Sequence, residues 1–262
     1  MITTSRIKTG FKLTRFRSSE VAGISYNDRQ CYQLNGIDQY VSGPTSAGNW
    51  ERTDPFSISA WVRANGWGCI FAKLPWSTPP YDGYFFVVNP PGRLWLILRG
   101  GSPLTAFEAI STSGNNLIDG NWHHAVATYD GSSLAQGVRL FVDNQETARA
   151  IGLNTLSQSI LNTDSSRIGF ILWSDYWQCQ IRQLSLWNKE LAPAEVAQLY
   201  FGGSPPDLRK LSFFNQCNAW WSLGRDPHDN LGYPSVSDWS GNNRHATSIN
   251  SPSIVSIDDP LP

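Results

Sequence analysis

Two carboxyl groups a few ångströms apart on one strand face can supply the nucleophile and the acid of glycoside hydrolysis, so the acidic residues are the first place to look for chemistry. The chain has six glutamates, Glu20, Glu51, Glu108, Glu146, Glu190 and Glu195, and none is followed two residues on by an aspartate. The nearest pair, Glu51 and Asp54, falls in a loop expected before a strand. No Gly-x-Ser-x-Gly, Walker A or dinucleotide-binding run occurs. His123 and His124 are adjacent, so on a strand they point to opposite faces and cannot share one metal. Packing or a structural hydrogen bond is the plainer use of both. These residue types predict a protein that is not an enzyme and works by presenting a surface.

Cys31, Cys69, Cys179 and Cys217 stand far apart, with no C-x-x-C pair and no histidine at zinc-finger spacing. Without a recognisable signal peptide, buried free thiols are the expectation. The net charge of −1 gives no global electrostatic case for nucleic acid or an anionic membrane. No apolar run is long enough to span a bilayer, and Met1 to Lys8 lack the apolar centre of a secretory signal. The expectation is a protein made in a cytoplasm. Twelve tryptophans are the compositional outlier. Most should pack between sheets, and a few could serve a glycan or a protein partner.

The elements that must position such residues are short strands. Asp119-Gly120 and Asp130-Gly131 bracket a run in which Trp122, His124, Val126 and Thr128 face one way and His123, Ala125, Ala127 and Tyr129 the other. Further strands are expected at 31–34, 39–41, 56–63, 68–72, 84–89, 93–98, 106–111, 138–143, 167–170 and 179–187, with turn residues between them. Most run four to nine residues, the pattern of an all-β sandwich or jelly roll. One short helix is expected at 193–200, with Pro193 in its first turn and Val196, Leu199 and Tyr200 on one apolar face. Gly202-Gly203 should stop it.

Three regions follow. Residues 1–30 read as an extended basic arm, in which Arg6, Lys8, Lys12, Arg15 and Arg17 precede the first acid, Glu20, and Phe11 and Phe16 could anchor it. An arm with so few apolar residues predicts a partner that holds it. Residues 31–203 form the sandwich body. Residues 204–262, with apolar islands at 219–223 and 254–257, hold too few strands to fold alone and should complete the sandwich.

Four stretches resemble the laminin-G-like, concanavalin A-like jelly-roll superfamily: Leu34 to Val41, Phe56 to Val62, Gly120 to Gly131, and Ile181 to Tyr200. Ala219 to Leu223 and then Asp238-Trp239-Ser240-Gly241-Asn242 resemble the opening segment of the same family, here placed after the helix as though the order were circularly permuted or a second repeat began there. The arrangement is similar to laminin-G-like structural proteins of tailed bacteriophages. That resemblance implies a concanavalin A-like β-sandwich acting as a non-enzymatic virion component, in the capsid decoration or the tail, assembled in the host cytoplasm. Its partners would be other virion proteins or further copies of itself, bound through Arg6, Lys8, Phe11, Lys12, Arg15, Phe16 and Arg17. The alternative is a lectin-like module for host surface glycans, using the aromatics Trp173, Tyr176 and Trp177. Relatives in this superfamily often hold Ca²⁺ through loop acids, and Asp38 matches one such position. Arg182-Gln183, however, stands where an acid pair is usual, so no required cofactor or metal is expected.

Overall fold

The computed structural model describes residues 29–75, 81–101, 105–112, 116–171, 175–224, 234–258 and 261. In chain order the strands are β1 (Gln30–Asn35), β2 (Tyr40–Gly43), β3 (Phe56–Ala64), β4 (Gly68–Lys73), β5 (Gly83–Asn89), β6 (Arg93–Gly100), β7 (Thr105–Ser111), β8 (His123–Tyr129) and β9 (Val138–Val142). They continue with β10 (Gln145–Glu146), β11 (Arg149–Asn154), β12 (Ser166–Ile168) and β13 (Gln178–Trp187). After helix α1 (Pro193–Tyr200) come β14 (Cys217–Trp221), β15 (Ser235–Val236), β16 (Ala246–Ile249) and β17 (Ser253–Ser256).

These strands form two antiparallel sheets, as the alternation of short runs predicted. One has the order β10-β9-β8-β3-β13-β1-β17, with β14 also paired to β13; the other runs β11-β7-β6-β5-β4-β12-β2-β16-β15. Between them lies one apolar cluster that includes Leu34, Phe56, Ile58, Phe71, Phe86, Ala125, Ala127, Tyr129, Ile181 and Trp221. The two-sided apolar character of β8 follows from this. Ala125, Ala127 and Tyr129 face the inter-sheet core, while Val126 joins a second cluster on the outer face with Trp187, Val196, Leu199 and Trp220. The helix supplies that cover. Glu195 accepts a hydrogen bond from the Ala192 N–H at 2.9 Å, and Phe201 ends the helix in the left-handed region.

The last strands are woven into both sheets. Trp221 of β14 pairs with Leu184 of β13, Ser248 of β16 with Val41 of β2, and Ser256 of β17 with Gln30 of β1. Asp238 secures the turn between them, accepting from the backbone N–H groups of Trp220, Ser240 and Arg244 at 2.9 Å each. The two ends of the described chain meet, with the Ile257 N–H 3.1 Å from the Arg29 carbonyl. β13 carries an irregularity beside its pairing with β14. Gln183 adopts a φ of 53°, and its N–H donates to Ser222 rather than to β3.

Candidate functional site

The turns at one rim of the sandwich enclose a groove of about 610 Å³. Three connections build it: the β1–β2 turn, the β3–β4 turn and the approach to β13. Asn35 organises the first, its Oδ1 accepting from the N–H groups of Ile37 and Asp38 while its Nδ2 donates to Asp38. Gly36 is required there. It has a φ of +70°, and a Cβ would stand 2.8 Å from that of Gln178. Asn65, Gly66 and Trp67 form the second wall and Asp175, Tyr176, Trp177 and Gln178 the third, with Leu261 at the edge.

The two rings the groove shares with sequence expectation have opposite fates. Trp177 is 1% exposed, and its Nε1 donates to the Gly66 carbonyl at 2.9 Å. A Cβ on Gly68 would fall 2.0 Å from its ring. This corrects the expectation of Trp177 as a surface aromatic: alternation along the strand turns it inward, where it props the β3–β4 turn from below. Tyr176 is half-buried, and its ring stacks 4.6 Å from Phe170, which in turn lies 5.2 Å from Tyr40. Trp173 lies outside the described residues, as do Arg6, Lys8, Phe11, Lys12, Arg15, Phe16 and Arg17.

Sequence reasoning passed over Trp67, which is 52% exposed and the most open tryptophan among the described residues. The signal was present. A tryptophan between Gly66 and Gly68, in a turn joining two core strands, has no sheet face to pack on. Beside it, Asn65 and Asp175 make no side-chain hydrogen bond among the described residues. The described lining holds no lysine, arginine or histidine.

The chemical candidates elsewhere are all engaged in structure. Glu51 accepts from the Ser159 hydroxyl at 2.5 Å and the Ile160 N–H at 3.2 Å, while Asp54 accepts from the Glu51 N–H at 2.9 Å. Burial would raise the Glu51 pKa, but these hydrogen bonds hold it below the usual carboxylate value. His123 lies between Asp143 at 2.7 Å and Asp119 at 3.1 Å. His124 is buried against Ser59 at 2.8 Å and stacks on Trp61, which the helix residue Tyr200 covers. Burial lowers the Lys73 ammonium to about 8, with Asp164 opposing, and its Nζ binds Asn162 and Asp164 to tie their loop to β4. All four cysteines are buried and none is in a disulfide; Cys31 and Cys217 donate to the Val255 and Ala219 carbonyls, and burial pushes the Cys69, Cys179 and Cys217 thiols up.

The residues at the superfamily's metal positions have partners within the protein. Asp38 is taken up by Asn35. Arg182 is a buried cation with Trp122 4.9 Å and Trp61 5.5 Å from its guanidinium, and Gln183 accepts from the Trp220 indole. Among the described residues no group of three His, Cys, Asp or Glu side chains could hold an ion.

The laminin G family model described as the concanavalin A-like lectin/glucanases superfamily matches residues 35–197. The chain belongs to this superfamily. The match ends before β14, so the last four strands lie beyond it. None of the curated proteins compared matches the chain. Among solved structures, a Bacteroides ovatus protein assigned by inference to carbohydrate binding is similar at 14% identity, with a TM-score of 0.58 over 89% of this chain. The chain spans 61% of that protein's length. Domain 4 of an extracellular arabinanase from Geobacillus stearothermophilus, solved with arabinotriose, is 19% identical with a TM-score of 0.45 over 70% of this chain and 83% of that one. Mouse laminin α1 domains LG4-5 give 14% identity and a TM-score of 0.44 over 68% of this chain and 48% of theirs.

Proposed function

We propose that the protein is a carbohydrate-binding module that holds a glycan in the rim groove. The observation that carries this is Trp67: an exposed indole in a concavity of about 610 Å³ shared with the polar groups of Asn65 and Asp175, which bond no side chain or backbone group among the described residues. An apolar ring face with a few hydrogen-bonding groups around it suits a sugar, which has an apolar face and a rim of hydroxyls. The lectin membership of the superfamily and the Bacteroides ovatus neighbour support the reading.

Binding without hydrolysis fits the same lining. Asp175 is its one carboxylate among the described residues, whereas glycoside hydrolysis uses a pair roughly 5–9.5 Å apart. Calcium prefers six to eight oxygen ligands, so the binding is read as metal-independent.

The test is titration of a panel of oligosaccharides, with and without a chelator, against the full chain and against Trp67→Ala. Saturable binding that survives chelation and weakens roughly tenfold or more in Trp67→Ala, about 1.4 kcal/mol, is expected, with thermal stability unchanged because the ring is exposed. No binding across the panel, or equal binding by Trp67→Ala, would overturn the reading.

A further inference from the structure

We infer that the groove selects neutral, hydroxyl-rich oligosaccharides and rejects sulfated or uronic-acid glycans. The inference rests on the carbohydrate-binding reading of the same site. Its lining offers the amide of Asn65 and the carboxylate of Asp175, with no cationic side chain among the described lining residues. Amides both donate and accept, and so does each sugar hydroxyl, while a carboxylate accepts from two hydroxyls at once. An acidic sugar needs the reverse, an arginine fork or an ammonium, to offset desolvation of its charge.

The surroundings reinforce this. Asp38 sits on the β1–β2 turn beside the groove. The Cβ position of Gly120 lies 2.9 Å from Asn65 Oδ1, which brings the Asp119–Gly120 turn against the same wall. His123, which bonds Asp119 of that turn, is held between Asp119 and Asp143. Arg63, on the strand that leads into the Asn65 turn, is committed through its Nε to the Gly120 carbonyl at 2.7 Å. A glycan carboxylate or sulfate would therefore meet acids and already committed donors.

Gly66 supplies a clean control. It lines the groove, it has no positive φ, and a Cβ there would meet nothing within 4 Å. Gly66→Leu should fold as the parent does and fill the space a ligand needs. The experiment titrates xylo-, manno-, cello- and arabino-oligosaccharides in parallel with oligogalacturonates and heparin fragments of matched length, using the parent, Gly66→Leu, Asp175→Asn and Asp175→Ala.

The expected result is binding of at least one neutral series, no measurable binding of the anionic ones, and loss of binding in Gly66→Leu. Asp175→Ala should weaken the neutral ligand more than tenfold and Asp175→Asn less, because the amide keeps one acceptor. Anionic binding that Gly66→Leu abolishes would overturn the neutral selection while leaving the carbohydrate reading intact. Neutral binding that Gly66→Leu leaves unchanged would overturn the assignment of the groove. No binding to any member of either series would overturn both.

Discussion

Trp67 and Trp177 both line one groove, and their burial decides which can touch a ligand. The second holds up the turn that displays the first, through its bond to the Gly66 carbonyl. The neighbouring histidines divide in the same way. For His123, burial would lower the pKa, but the hydrogen bonds and charges of Asp143 and Asp119 outweigh it and hold the imidazole above its ordinary 6.5. Folding thus favours the protonated form. The stability it brings is full below the unfolded value and is lost as the pH rises through the raised folded one. For His124, burial dominates over the opposing Asp143 charge and drops the pKa from 6.5 to about 3. The folded state keeps it neutral, so stability falls as the pH drops from the unfolded value toward the folded one. Together the pair contributes a stability maximum near pH 6.5. Denaturant midpoints measured across the pH range should show the alkaline decline shrink in His123→Gln and the acid decline shrink in His124→Gln. Curves identical to the parent would contradict the assignment.

At the level of elements, the closing strands bring partners to both sheets. β14 adds to β13, β16 to β2 and β17 to β1, so Trp221, Val236 and Ala246 enter the inter-sheet core from the far end of the sequence. β17 ends where β1 begins, with Ser256 opposite Gln30. A chain that starts at Ser204, joins Asp258 to Arg29 through a short flexible linker and ends at Gly203 should therefore fold to the same sandwich, since sandwich termini that lie together tolerate re-routing. Truncation after Gly203 should give no cooperative thermal transition, because it strips three partners from the two sheets. Circular dichroism and calorimetry on the two chains check this; a stably folded truncation would show the body to be self-sufficient. The strands themselves were legible wherever apolar residues alternate between turn signals, as in β3, β8 and β13. β11 was not. At a sheet edge its side chains are half-exposed or exposed, so no buried face marks it in the sequence.

At the scale of the whole molecule, net charge is −1 and the groove lining adds one acid. Neither long-range steering nor charge pairing should then govern ligand binding. Affinity for a neutral oligosaccharide should change less than about twofold between roughly 0.05 and 0.5 M salt, a range over which screening suppresses exposed charge–charge attraction. A steep loss of affinity with salt, read by titration calorimetry, would instead point to an ionic contact. Most of the rim was readable piecemeal: Asn35-Gly36 and Asn65-Gly66 are turn signals in the sequence. That they converge with Asp175–Gln178 on one concavity was not, because nothing in a single chain tells which turns share an end of a sandwich.

The sequence by itself determined the all-β class, the helix at 193–200 and superfamily membership, because alternation, turn residues and helix-stop glycines act locally and leave their mark in neighbouring residues. Tertiary structure alone decided that Trp177 is a prop and Trp67 an exposed face, and which strands of the two sheets the closing segment pairs with. It also decided that the polar groups of the rim meet in a groove without a cation. Each of these depends on contacts between segments far apart in the chain, and such contacts are set by how two sheets pack, which no local pattern of residues records.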